Sequence, residues 1–196
     1  MFARANMAAS TECMHYAIRN AAGEQAEILI YDEIGFFGVR AGDFVRDLQM
    51  VTAPKILLRL NTPGGAVFDG MAIYNALTSH AASVETQIDG LAASIGSVIA
   101  LAGTPVRMMP GSMFMIHDPW GIVIGNANEM DSLAAVLRKI AGEIAGVYAA
   151  ATDIDLAEIK TMMAAETWLT PDEAVAKAEE IGFPVLIKAV AGGGGR

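Results

Sequence analysis

Hydrophobic and polar positions alternate along this chain in two different rhythms, and the rhythm switches several times. Glu27 to Tyr31 (EILIY) reads as a short buried strand. Gly42 to Met50 then puts Phe44, Val45 and Leu48 on one helical face. Lys55 to Asn61 (KILLRLN) is a second strand, ended by Thr62-Pro63-Gly64-Gly65. Phe68, Met71, Ala72 and Leu77 recur near helical spacing. Val84, Thr86 and Ile88 alternate as a third strand, followed by a tight small-residue turn. Ser94 to Ala102 is apolar nearly all round, which predicts a buried helix. Val106–Met109 and Met113–His117 read as strands joined at Pro110-Gly111. A long helix is expected over about Ala127–Ala150, with Met130, Leu133, Leu137, Ile140, Ile144 and Val147 as its apolar stripe.

Asp155 with Glu158, and Thr170 with Glu173, have the spacing of capping boxes, and Pro171 occupies a favoured first helical position. A last strand is expected at Pro184–Ile187. Strands alternating with helices imply βαβ crossovers and a mostly parallel sheet in an α/β domain. The expected organisation is an arm over residues 1–25, mobile or strand-like, one domain over 26–190, and a flexible Gly-rich tail over 191–196.

Composition narrows the function classes. The chain has 196 residues, enough for one domain with a sizeable core. Its hydrophobic share is 54% and its mean hydropathy is +0.41. The longest nearly apolar stretch, Leu91–Gly103, falls short of the about 20 residues of a membrane span. The surplus apolar surface is therefore expected inside the fold or between copies of the chain. A net charge of −9, with basic residues scattered, argues against nucleic acid or an anionic membrane as partner. The single cysteine, Cys13, rules out an intrachain disulfide, and the start of the chain lacks the apolar core of a secretory signal. The expected location is the cytoplasm.

Candidate chemistry is sparse. In Gly90-Leu91-Ala92-Ala93-Ser94-Ile95-Gly96 a serine stands where a buried helix begins, and free backbone N–H groups there can hold an oxyanion. Read locally, Ser94 is equally a helix N-cap. Asn61-Thr62-Pro63-Gly64-Gly65 also opens a helix and can present N–H groups to an anion. It is not a phosphate loop, because no Gly-Lys-Ser/Thr follows. Of the three histidines, His80 ends a helix and His15 lies in the arm, whereas His117 ends an apolar strand (MFMIH). A serine nucleophile needs such a base and a third group to orient it. Asp118 adjoins His117 but would face the opposite way along a strand. Asp32-Glu33 and Glu179-Glu180 read as solvated pairs. No metal-ligand spacing and no cofactor motif is visible.

Together, NTPGG (61–65), IDGLAASIGS (88–97), MPGSMFMIHDP (109–119) and WLTPDEAV (168–175) resemble the Clp protease proteolytic subunit, the ClpP family, over roughly residues 26 to 188. The resemblance implies a ClpP/crotonase-like spiral of βαβ units with a protruding handle helix. It implies a serine endopeptidase with Ser94 as nucleophile, His117 as base, and the backbone N–H groups of Gly65 and Ile95 as oxyanion hole. The family's acid is an Asp two residues before an aromatic-Leu pair; here Trp168-Leu169 is that pair, so Glu166 takes the acid's place. This departure, with the short arm ahead of EILIYDEIGFFGV, looks like the phage and prophage branch associated with head maturation. The implied partners are further copies of the chain, in heptameric rings or stacked tetradecamers, and capsid-assembly or scaffold proteins as substrates. A Clp-type ATPase is not expected as an obligatory partner, and the Gly-rich tail is compatible with self-cleavage downstream. Rival readings are an inactive ClpP-like scaffold ring and a crotonase-type acyl-CoA enzyme. A Ser-Lys peptidase is disfavoured because no Lys sits in a matching motif.

Overall fold

A computed structural model of the chain describes residues 15–181 and 188–189, with side chains to residue 177. Its sheet runs β1 (Tyr16–Arg19), β2 (Ala26–Ile30), β3 (Lys55–Thr62), β4 (Ser83–Ala93), β5 (Val106–Met108) and β8 (Lys188–Ala189) in spatial order. Two further strands, β6 (Met113–Ile116) and β7 (Thr167–Leu169), branch from β4. From β2 to β8 the neighbours are parallel, while β1 is antiparallel to β2. The helices are α1 (Ala41–Leu48), α2 (Val67–Thr78), α3 (Ile95–Ala100), α4 (Ala127–Thr152), α5 (Leu156–Ala164) and α6 (Pro171–Ile181). The steps β2–β3, β3–β4 and β4–β5 are therefore βαβ units, as the alternation of sequence rhythms requires.

The core lies between β2–β4 and the helices laid on them. Ile28, Ile30, Ile56, Leu58, Leu60 and Ile88 alternate inward along the strands and are fully buried. Phe44 of α1 is also fully buried and meets Tyr16 of β1 edge-on, with ring centroids 5.4 Å apart. The opposite face of the sheet carries a polar cluster beside Leu29 and Leu57. There Arg59 bonds Asp89 at 2.8 Å and Glu27 at 3.2 Å, and Tyr31 donates to Asp89.

Several local expectations are corrected. Gly90–Ala93 are not a turn: β4 continues through them to Ala93, with a register shift against β3 between the Leu60–Ile88 and Thr62–Ala92 pairs, and Leu91–Ala93 pair with Met113–Met115 of β6. A Cβ on Gly90 would stand 2.6 Å from Asn61 Oδ1, so a larger residue there would have to displace the Asn61 side chain. In α2 the buried positions are Gly70, Ile73 and Leu77, and Phe68 is 73% exposed. Gly70 faces Ile95 so closely that α2 must turn its smallest side, not its largest, toward α3. Asp155 caps α5 through Ala157 N–H, but Glu158 pairs with Lys177 instead of closing a box. Thr170 and Glu173 do form the reciprocal box.

Another box, Asn126 with Glu129, starts α4; its Asn-x-x-Glu pattern was readable and was missed. Asp32 is not merely solvated: it bonds His15 at 2.6 Å, and that contact holds its carboxyl below the usual range. His80 accepts from Ala82 N–H through Nδ1, so that nitrogen serves a turn and carries no proton in this bond. The strand expected at Pro184–Ile187, the tail and most of the arm lie outside the described residues.

Helix α4 has 26 residues, about 39 Å at the standard rise. Only its C-terminal half is anchored, through Ile144, Ala145 and Tyr148; Met130 and Val136 near its start are exposed. It projects from the domain as a handle. No described helix is long and apolar enough to cross a membrane.

Candidate active site

Three adjacent parallel strands end at one place. Strand β3 delivers Pro63-Gly64-Gly65, β4 delivers Ser94, and β6 delivers His117. The register does the positioning: Ala93 pairs with Met115, and Ser94 N–H donates to Met115 O at 3.0 Å. The residues just beyond each strand end are thereby held side by side. His117 Nε2 and Ser94 Oγ are 2.7 Å apart, although 23 residues separate them in sequence. Both side chains are half-buried at the mouth of a cleft of about 470 Å³, also lined by Glu33, Pro63, Met115 and Trp120.

Ser94 is strained. It adopts φ 54°, ψ −128°, a combination that L side chains avoid and that typically costs about 1–3 kcal/mol. Its side chain makes no cap bond to α3, so the N-cap reading of this serine is replaced by the bond to His117. The turn exposes Oγ while α3 begins immediately behind it. As the first residue of α3, Ile95 has an N–H that the helix itself cannot satisfy.

The second donor comes from the glycine pair. Ile34 N–H donates to Gly64 O at 2.7 Å and Ile34 O accepts from Ala66 N–H at 2.8 Å. These two bonds clamp the loop and use the groups on either side of Gly65. No bond from Gly65 N–H or Ile95 N–H to a backbone or side-chain acceptor occurs among the described residues. Both glycines have positive φ, +88° for Gly64 and +142° for Gly65. A Cβ on Gly64 would stand 2.5 Å from Ala93 O and 2.8 Å from Ser94 Cβ, so only glycine allows this loop so close to the serine turn.

Glu166 is brought to the neighbourhood but not joined to His117. Strand β7 is antiparallel to β6 with Ile116 opposite Thr167, so Glu166 and His117 stand one step beyond the last pair. Glu166 has φ 49°, is exposed, and its carboxylate accepts from Trp168 Nε1 at 3.3 Å. Among the described residues no hydrogen bond links it to His117. Asp118 is exposed, and its backbone N–H is held by Met163 O at 3.2 Å. No described group of three or more His, Cys, Asp or Glu could hold a metal ion.

Residues missed by sequence reasoning lie behind the turn. Ser97 is fully buried; its Oγ donates to Ser94 O at 2.5 Å and meets Tyr148 Oη at 2.7 Å. Tyr148 belongs to α4, 51 residues away, and only a gap in the otherwise apolar α3 (the serine in IGSVIA) hinted that a polar partner was needed.

Comparison with known proteins gives the family and the fold. Residues 10–178 match the Clp protease family. The chain is 32% identical over 178 residues to the ATP-dependent Clp protease proteolytic subunit 1 of Protochlamydia amoebophila, covering 87% of this chain and 85% of that one. It is 30% identical over 173 residues to the corresponding subunit of Bacteroides thetaiotaomicron, covering 82% and 77%. A solved ClpP1 variant from Listeria monocytogenes superposes with a TM-score of 0.68 at 25% identity, over 78% of this chain and 86% of that chain. The fold is that of ClpP, and the chain belongs to the Clp protease family.

Proposed function

We propose that the chain is a serine endopeptidase in which Ser94 attacks the peptide carbonyl and His117 moves the proton. The observation that carries this reading is the 2.7 Å contact between His117 Nε2 and the Oγ of a strained, cleft-facing serine. In the reaction, the Ser94 Oγ–H proton passes to Nε2 as the C–O bond forms, and His117 returns it to the leaving amine. The oxyanion forms against Gly65 and Ile95 N–H. Water then repeats the sequence on the acyl-enzyme.

For Nε2 to accept, the ring proton must sit on Nδ1, and Glu166 is the orienting group for it. Glu166 reaches that role by turning its carboxylate from Trp168 Nε1 toward His117, which the β6–β7 pairing keeps adjacent. Protein segments are the substrates. The exposed handle α4 and the exposed Ile122 and Ile124 before it support self-association into rings, with seven subunits as the family-based expectation. Within the family, Glu166-Thr167-Trp168 in place of the usual acid motif supports the head-maturation branch, with capsid-assembly proteins as substrates and action with or without a Clp-type ATPase.

A second reading is favoured by one observation, the bond that turns Glu166 toward Trp168: an inactive ring serving assembly alone. Intact-mass analysis after exposure to a fluorophosphonate separates the two. A single adduct on the wild type, absent from Ser94→Ala, is expected. No adduct on folded, assembled protein would reject the peptidase and favour the inactive ring.

A further inference from the structure

The carbonyl of Ser94 and the N–H of Ile95 belong to one planar peptide, so whatever holds the carbonyl aims the N–H the opposite way. That carbonyl is held from behind by two donors, with a third polar group close by. Ser97 N–H donates to it at 3.0 Å, Ser97 Oγ–H donates at 2.5 Å, and Tyr148 Oη lies 3.5 Å from it. Ser97 has one hydroxyl proton, and it goes to Ser94 O. The 2.7 Å contact between Ser97 and Tyr148 must then be donated by Tyr148. The result is a directed chain, Tyr148 Oη–H to Ser97 Oγ–H to Ser94 O, that ends on the peptide bearing the Ile95 donor. Both side chains are buried, Ser97 completely and Tyr148 to within 3%. In that setting each bond polarises the next, and the peptide N–H at the far end becomes a stronger donor. Burial pushes the Tyr148 hydroxyl well above its ordinary value, which keeps it protonated and able to donate.

We infer that Tyr148 and Ser97 are positioning residues that aim and polarise the Ile95 N–H of the oxyanion hole, so that the base of the handle helix sets the strength of the catalytic donor. This rests on the peptidase reading above. A Ser hydroxyl bonded back to its own helix is common and by itself carries no such role. Here the acceptor is the carbonyl of the nucleophile's own strained peptide, and the second donor arrives from a different helix.

The test is the saturation kinetics of fluorophosphonate labelling, in which the phosphonyl oxygen occupies the oxyanion site. Wild type, Tyr148→Phe, Ser97→Ala and the double variant are compared. Removing an oxyanion donor outright typically costs about 10²–10³-fold, so weakening one is expected to lower the limiting rate by about tenfold. The half-saturating concentration should stay unchanged, because a purely steric disturbance would move it. The double variant should lose no more than the worse single, since Tyr148 acts through Ser97. Rates are taken per labelled molecule at completion, so partial misfolding does not enter them. Wild-type limiting rates in both single variants, or losses that multiply in the double, overturn the inference while leaving the peptidase standing. A wild type that takes no adduct overturns both.

Discussion

Gly64→Ala tests whether the contact between the glycine loop and the serine turn is what builds the site. Two costs fall on this substitution. Gly64 has φ +88°, and a non-glycine residue there bears about 1–3 kcal/mol of backbone strain. The new Cβ would also stand 2.5 Å from Ala93 O, 2.8 Å from Ser94 Cβ and 3.1 Å from Ile95 N. Two of these three are backbone atoms, so the clash cannot be relieved by rotating a side chain. The loop or the Ser94–Ile95 turn must move by several tenths of an ångström to about 1 Å, and misplacement on that scale costs about 10²-fold in rate.

Gly111 provides the control: its φ is +82°, but a Cβ there meets nothing within 4 Å. Gly111→Ala should therefore lower the melting temperature by about 2–12 °C, the shift that such strain produces in a domain of this size, and leave fluorophosphonate labelling at the wild-type rate. Gly64→Ala should show at least the same thermal loss and label about 100-fold more slowly. Equal labelling rates in the two variants would refute the claim that close approach at Gly64 shapes the site.

Three further outcomes are expected. Glu166→Gln should slow labelling by about 10²–10⁴-fold if Glu166 orients His117; an unchanged rate would mean a Ser94–His117 dyad works without it. Stability should fall in acid. Burial alone would raise the Asp89 carboxyl, but bonds from Arg59, Tyr31 and Gln87 outweigh it and hold the carboxyl below its ordinary value. The stabilisation is thus present above the unfolded value of about 3.9 and lost as pH falls through the lower folded value. Urea unfolding between pH 6 and pH 3 should show a slope that Asp89→Asn flattens, and an identical slope in that variant would refute the assignment. Phe44→Ala, at a fully buried site packed on Tyr16, should cost about 3–5 kcal/mol in the same urea assay, and a loss under 1 kcal/mol would contradict the packing.

The repeating βαβ order, the buried α3, the long α4 and the Thr170 box were legible along the chain, because each depends on near neighbours: a period of two or 3.6, a cap three residues away, a glycine that must turn. The same locality marked Ser94 and His117 as candidates. It could not join them, since their contact depends on β4 and β6 being paired with Ala93 beside Met115. Nor could it show that Gly90–Ala93 extend β4, that Phe68 faces outward, or where Glu166 points; each follows from what lies across the fold. Tyr148 is the extreme case. In sequence nothing marks it beside the apolar stripe that ends at Val147, and only α4 crossing behind α3 sets its hydroxyl against Ser97. Local patterning decided which elements form and where their chemistry-bearing ends lie. Strand register and helix packing, which act between residues tens of positions apart, decided which of those ends meet.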